Sequence, residues 1–134
     1  RGMDVKNATL SAMRILKNYD GSRECYSALN KAIFLAESDV LPLEAVSRIG
    51  LGKVGEEAVA IAIYCSLVHE SSFKNAVCLA VNHDGDSDST GAICGSIMGA
   101  LLGINAIPRK WVKQLEFAPI ISAVAGDLFN QAQH

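Results

Sequence analysis

The stretch Asn82-His83-Asp84-Gly85-Asp86-Ser87-Asp88-Ser89-Thr90-Gly91 runs directly into an apolar, glycine-spaced segment, Ala92 to Ile107. Three carboxylates and three hydroxyls fall within the seven residues from Asp84 to Thr90. Carboxylates at this density repel one another, whereas hard divalent ions such as Mg²⁺ or Mn²⁺ take oxygen ligands of this kind. Downstream, Gly91, Gly95, Gly99 and Gly103 recur every four residues and share one slowly drifting helix face. Glycine costs about 1 kcal/mol per helical site relative to alanine. Four of them on one face imply a backbone that another helix or a ligand approaches closely, and close helix packing is the simpler reading. The segment is shorter than the roughly 20 residues that a bilayer span requires, so it reads as a buried helix.

Working outward, Ser71-Ser72 cap a helix from Phe73 to about Asn82 that delivers the acidic loop. Before it, Glu56-Glu57 stand in the first turn of a helix reaching about Glu70, where negative charge complements the helix dipole. Gly50-Leu51-Gly52-Lys53-Val54-Gly55 places three glycines in six residues and reads as a loop. Leu41-Pro42-Leu43 starts a short helix ahead of it. Leu10, Met13 and Leu16, then Leu29, Ala32, Ile33, Leu35 and Ala36, recur at helical spacing around an Asp20-Gly21-Ser22 break. On the other side, Pro108 starts a helix carrying Trp111 and Leu115, with Trp111 read as core packing, and Pro119 starts the last, to about Gln131. No strand alternation is present. The sequence predicts an all-α fold, a compact orthogonal helical bundle.

With 134 residues, half of them apolar and 19% charged, the chain can bury one core, so 1–134 is expected to fold as a single unit or as part of one. A net charge of −2 gives no reason to expect nucleic acid. The absence of a long apolar span argues against a membrane. Cys25, Cys65, Cys78 and Cys94 show no C-x-x-C pairing and read as reduced core thiols, which suggests a cytoplasmic setting. Arg1-Gly2 ahead of Met3 reads as a cloning remnant or a cut end.

Two known loop chemistries fail against the acidic run. An EF-hand starting at Asp84 would place Gly95 where a bidentate Glu is required. Asp86-Ser87-Asp88-Ser89-Thr90 also fits the D-x-D-x-T nucleophile loop of haloacid-dehalogenase-type phosphatases, but that loop follows a hydrophobic strand and none precedes it here. A metal loop at a helix N-terminus, with Asp86, Asp88 and the Ser89 hydroxyl as ligands, remains. Capping of the helix by an Asx turn is the simpler role for the same residues.

Here the residues resemble a family. Gly55-Glu56-Glu57-Ala58, Ala80-Val81-Asn82-His83, Gly85-Asp86-Ser87-Asp88-Ser89-Thr90-Gly91-Ala92, then Gly103, Ile107-Pro108 and Trp111 look like the C-terminal part of the ADP-ribosylglycohydrolase family, firmly over about 50–115. The resemblance implies an all-α domain with two Mg²⁺ or Mn²⁺ ions in its complete site. It also implies cleavage of ADP-ribose from a modified arginine, serine or related acceptor. Asp86, Asp88 and Ser89 match the family's C-terminal metal ligands, and Gly50, Leu51, Gly52, Lys53 and Val54 match its glycine-rich loop near bound ADP-ribose. No catalytic acid or base is assigned. The family's N-terminal T-D-D-T-like motif has no counterpart in residues 1–80, so the chain reads as the later part of a domain. The expected partners are an ADP-ribosylated substrate and either the missing N-terminal half or further copies of the chain. A metal- or ADP-ribose-binding module without turnover, and a crystallin-like structural derivative, are the alternatives. Asp84 reads as a solvated acid, His83 as a structural hydrogen-bonder, and His69 and His134 as surface residues.

Overall fold

The computed structural model describes residues 2–132; His134 lies outside them. Among the described residues there are eight α-helices and no strand: α1 (Val5–Leu16), α2 (Arg23–Ala36), α3 (Pro42–Ile49), α4 (Gly55–Val68), α5 (Phe73–Val81), α6 (Ser87–Leu102), α7 (Arg109–Gln114) and α8 (Ala118–Gln131). A 3₁₀ turn, Ile104–Ala106, links α6 to α7. The all-α expectation holds, and none of these helices is long and apolar enough to cross a membrane.

Local chemistry explains where the helices begin. Asp4 Oδ1 accepts from the Asn7 N–H at 2.7 Å at the start of α1, and Ser72 Oγ accepts from the Asn75 N–H at 3.3 Å at the start of α5. Each satisfies one of the donors that a helix N-terminus leaves unpaired. Pro42 opens α3, where its missing N–H costs nothing. Gly21, with φ +76°, supplies the left-handed turn between α1 and α2.

The core is organised around α4, which touches α1, α2, α3, α5 and α6. Ala58, Ala60, Ile61, Ala62, Tyr64, Cys65 and Ser66 of this helix are all buried, so it is apolar around most of its circumference rather than along one stripe. Ala32 and Leu35 of α2, Ala45 and Val46 of α3, Ala76 and Ala80 of α5, and Cys94 and Met98 of α6 close on it. Small residues on α4 let its neighbours approach closely, while Ile61 and Tyr64 supply volume; each large apolar side chain buried this way contributes about 1.5–3 kcal/mol.

Several readings of the sequence are refined. α6 is buried along one stripe, Thr90, Cys94 and Met98, rather than throughout. Gly103 is not part of the glycine face: its φ of +75° ends α6 after Leu102. Of the others, only Gly91 meets a close neighbour, since an added Cβ would lie 2.5 Å from Val81 Cγ1; the space beside Gly99 is open. Trp111 is half-buried and packs edge-on to Phe73, ring centroids 6.3 Å apart. Cys65 and Cys94 are buried as expected, but Cys25 is half-buried and Cys78 exposed, because Cys78 lies on the outer face of α5. All four thiols are free. His69 is half-buried at the end of α4. The last helix differs most: α8 buries no residue, and Ile120, Ile121, Val124, Leu128 and Phe129 are all at least half exposed.

Candidate functional site

The acidic loop and the glycine loop are joined through Leu51, 35 residues before Asp86 in sequence. The Asp86 N–H donates to the Leu51 carbonyl at 2.8 Å. Gly85 makes this approach possible, because a Cβ there would lie 1.8 Å from the Leu51 oxygen. On its other side the glycine loop is held by α4, where Glu57 Oε2 accepts from the Leu51 N–H at 3.0 Å and the Gly52 N–H at 3.1 Å. Gly52 adopts φ +70° and packs under Thr90, where an added Cβ would come within 2.9 Å of Cγ2.

Beneath the acidic loop a hydrogen-bond relay fixes its exit from α5. The Gly85 N–H donates to His83 Nδ1 at 3.0 Å, which leaves the proton on Nε2. That N–H lies 3.0 Å from Thr90 Oγ1, whose own hydroxyl donates to the Ala80 carbonyl at 2.6 Å. Thr90 is fully buried, so the relay ties the last turn of α5 to the first turn of α6 inside the core. His83 is thus the structural hydrogen-bonder that its sequence position suggests.

The three expected ligands stand together at the start of α6. Asp86 occupies the N-cap position, yet its carboxylate accepts no backbone N–H of the helix. It accepts instead from the Ser89 hydroxyl, at 3.1 Å from Oδ2. Asp88 Oδ1 accepts from the Ser89 N–H at 3.1 Å. Hydrogen bonding with Asp86, and then the Ser89 N–H, hold the Asp88 carboxyl below the usual carboxylate range. Capping therefore does not occupy the Asp86 carboxylate. Asp88 is exposed and Asp86 and Ser89 are half-buried. The donors are two carboxylates and a hydroxyl, a hard oxygen set that fits Mg²⁺ or Mn²⁺ better than a softer metal. Among the described residues no three His, Cys, Asp or Glu side chains converge on one point, so these residues fit part of a coordination shell.

Gly50 and Leu51 line a cavity of about 300 Å³ with Leu43, Ser47, Asn82, His83 and Asp84. Gly52 is buried beneath Thr90, while Lys53 and Val54 are exposed and are not among the residues that line that cavity. The five residues of the glycine loop are therefore not one surface. Asp84 is exposed, as expected of a solvated acid.

The family profile of ADP-ribosylglycohydrolase matches residues 1–134. The chain belongs to the ADP-ribosylglycohydrolase family. The match extends through α1–α3, beyond the segment where the motifs are distinctive. The chain is 34% identical over 64 residues to an ADP-ribosylarginine hydrolase of Pseudomonas putida (strain GB-1), covering 48% of the chain and 17% of that protein. It is 40% identical over 45 residues to the ADP-ribosyl-[dinitrogen reductase] glycohydrolase of Rhodospirillum rubrum, covering 34% and 15%. With the ADP-ribosylhydrolase ARH3 of Homo sapiens it shares 29% identity over 103 residues, covering 68% of the chain and 28% of that protein. The alignments thus span between 15% and 28% of these relatives' lengths. No solved structure matches the chain significantly.

Two contributors escaped the sequence reading. Glu57 reads as a helix-start acid, and nothing in its spacing separates it from Glu56; the loop contact appears only once α4 and the glycine loop fold together. Thr90 had a signal, since Thr90, Cys94 and Met98 at intervals of four form the buried stripe of α6.

Proposed function

We propose that this chain supplies the C-terminal part of an ADP-ribosylglycohydrolase site, which removes ADP-ribose from a modified protein or small-molecule acceptor. The observation that carries the reading, in a chain matched to this family throughout, is that the turn bearing Asp86, Asp88 and Ser89 is tied to the glycine loop by the Asp86 N–H on the Leu51 carbonyl. Asp86, Asp88 and Ser89 are the residues that would hold Mg²⁺ or Mn²⁺. Bound there, the metal supplies orientation of ribose hydroxyls and stabilisation of charge as the glycosidic bond breaks. The Leu51 and Gly52 N–H groups are engaged by Glu57, so these two amides are not free to meet the substrate's diphosphate. The Pseudomonas relative is named for ADP-ribosylarginine, which makes an arginine-linked substrate the first to try.

Three ligands leave a six-coordinate Mg²⁺ half satisfied. The remaining ligands would be sought in the rest of such a domain, since the alignments cover only a minor part of these relatives. Mg²⁺-dependent ADP-ribose release is expected when the chain is mixed with the N-terminal portion of a relative, and is expected to disappear in Asp86→Ala and Asp88→Ala. Release that survives both substitutions contradicts the assignment. Binding of ADP-ribose without any release would favour a module that binds and does not turn over, and self-association of the chain would show as a concentration-dependent mass in sedimentation.

A further inference from the structure

Glu57 is linked to Asp86 by two hydrogen-bonding steps through one backbone unit. Its Oε2 accepts from the N–H of Leu51, and the carbonyl of Leu51 accepts from the N–H of Asp86. The second bond from the same oxygen, to the Gly52 N–H, fixes the peptide plane between Leu51 and Gly52, and that plane carries the accepting carbonyl. The geometry leaves little slack. A Cβ on Gly50 would fall 2.3 Å from the Glu57 carboxylate carbon, and one on Gly85 would fall 1.8 Å from the Leu51 oxygen. Glycines therefore stand on both sides of Leu51 where side chains would force carboxylate, loop and acidic turn apart. Glu56, the preceding residue in the same helical turn, makes no such contact, so favourable interaction with the α4 dipole does not account for the placement of Glu57.

We propose that Glu57 is a positioning residue: through the Leu51 peptide it sets the position of the Asp86 backbone, and hence of the ligand oxygens at the start of α6. The consequence for metal binding rests on the functional reading above; the mechanical coupling does not. Partners that orient a ligand without touching the metal typically alter its affinity by roughly 10- to 100-fold when removed.

The test measures amide hydrogen exchange by NMR on the metal-free chain, together with Mn²⁺ affinity by calorimetry, for the wild type and for Glu57→Ala, Glu57→Gln and Glu56→Ala. In Glu57→Ala the Leu51, Gly52 and Asp86 amides are expected to exchange at least about tenfold faster, a lower bound for losing one anchoring hydrogen bond of about 1.4 kcal/mol. Amides of α2 should keep their rates, which shows that the fold is intact. Glu57→Gln retains an acceptor oxygen at the same reach and is expected to restore much of the protection, which also keeps the test decisive if the alanine variant unfolds. Glu56→Ala should leave all three amides unchanged. Where the wild type binds Mn²⁺, Glu57→Ala should weaken it roughly 10-fold or more. Faster exchange at Leu51 and Gly52 with Asp86 unchanged would overturn the proposal, as would equal effects from Glu56→Ala. A wild type that binds no Mn²⁺ but shows the coupled exchange contradicts the metal reading and upholds the positioning role.

Discussion

Replacing Thr90 separates the contribution of its hydroxyl from that of its methyl group. Thr90→Val keeps the shape and removes the hydroxyl, which strips the buried Ala80 carbonyl of its 2.6 Å donor and the His83 Nε2–H of its acceptor. A buried acceptor left unpaired costs about 1–3 kcal/mol, and His83, being half-buried, recovers part of its loss from water. The expected destabilisation is about 2 kcal/mol. Thr90→Ser keeps the relay and removes the methyl that packs over Gly52, a loss of about 1 kcal/mol for one buried carbon. For a chain of this size each kcal/mol lowers Tm by roughly 3–5 °C, so the valine variant should melt about 6–10 °C below wild type and the serine variant about 3–5 °C below. Thermal unfolding followed by circular dichroism, with urea titration to obtain the free energies, gives the order. A valine variant at least as stable as the serine variant would refute the relay as a stabilising element.

Gly85→Ala should cost about 2–3 kcal/mol in urea unfolding, because its Cβ meets the Leu51 backbone oxygen at 1.8 Å and the two loops must part. Gly99→Ala, with open space beside it in mid-helix, should instead gain about 0.5–1 kcal/mol, and a loss there would mean that the α6 face is covered. Burial pushes the Cys65 and Cys94 thiols up, so the folded chain keeps protons that the unfolded chain releases above about pH 8.5. Stability is therefore expected to be level with respect to these groups below that pH and to fall as pH rises beyond it. A thiol reagent should label Cys78 quickly and leave Cys65 and Cys94 untouched until unfolding; labelling of either at the Cys78 rate contradicts the packing of α4 against α6.

The helices were legible because their signals are local. Pro42, Ser72 and Pro119 mark starts, Gly21 marks a turn, and the observed boundaries follow them within a residue or two. The grouping of Asp86, Asp88 and Ser89 was legible for the same reason, since they lie within four residues of one another; their role as metal ligands is the proposal. What the sequence hid is tertiary. The pairing of Leu51 with Asp86 and of Glu57 with the glycine loop depends on two distant loops meeting, and no periodicity encodes it. The glycine repeat misled because spacing alone cannot show that Gly103 lies outside the helix or that nothing stands opposite Gly99. The exposure of α8 was equally hidden: its apolar residues look like core residues until the structure shows Ile120, Ile121, Val124, Leu128 and Phe129 at least half exposed.

The central claim is that Asp86, Asp88 and Ser89 form part of a divalent-metal site. Titration of Mn²⁺ and Mg²⁺ into the purified chain, beside the Asp86→Ala/Asp88→Ala double variant and with ADP-ribose present and absent, tests it most directly. The account predicts weak binding by the wild type that is lost in the double variant. Equal binding by both proteins, or none by the wild type with ADP-ribose present, would contradict it.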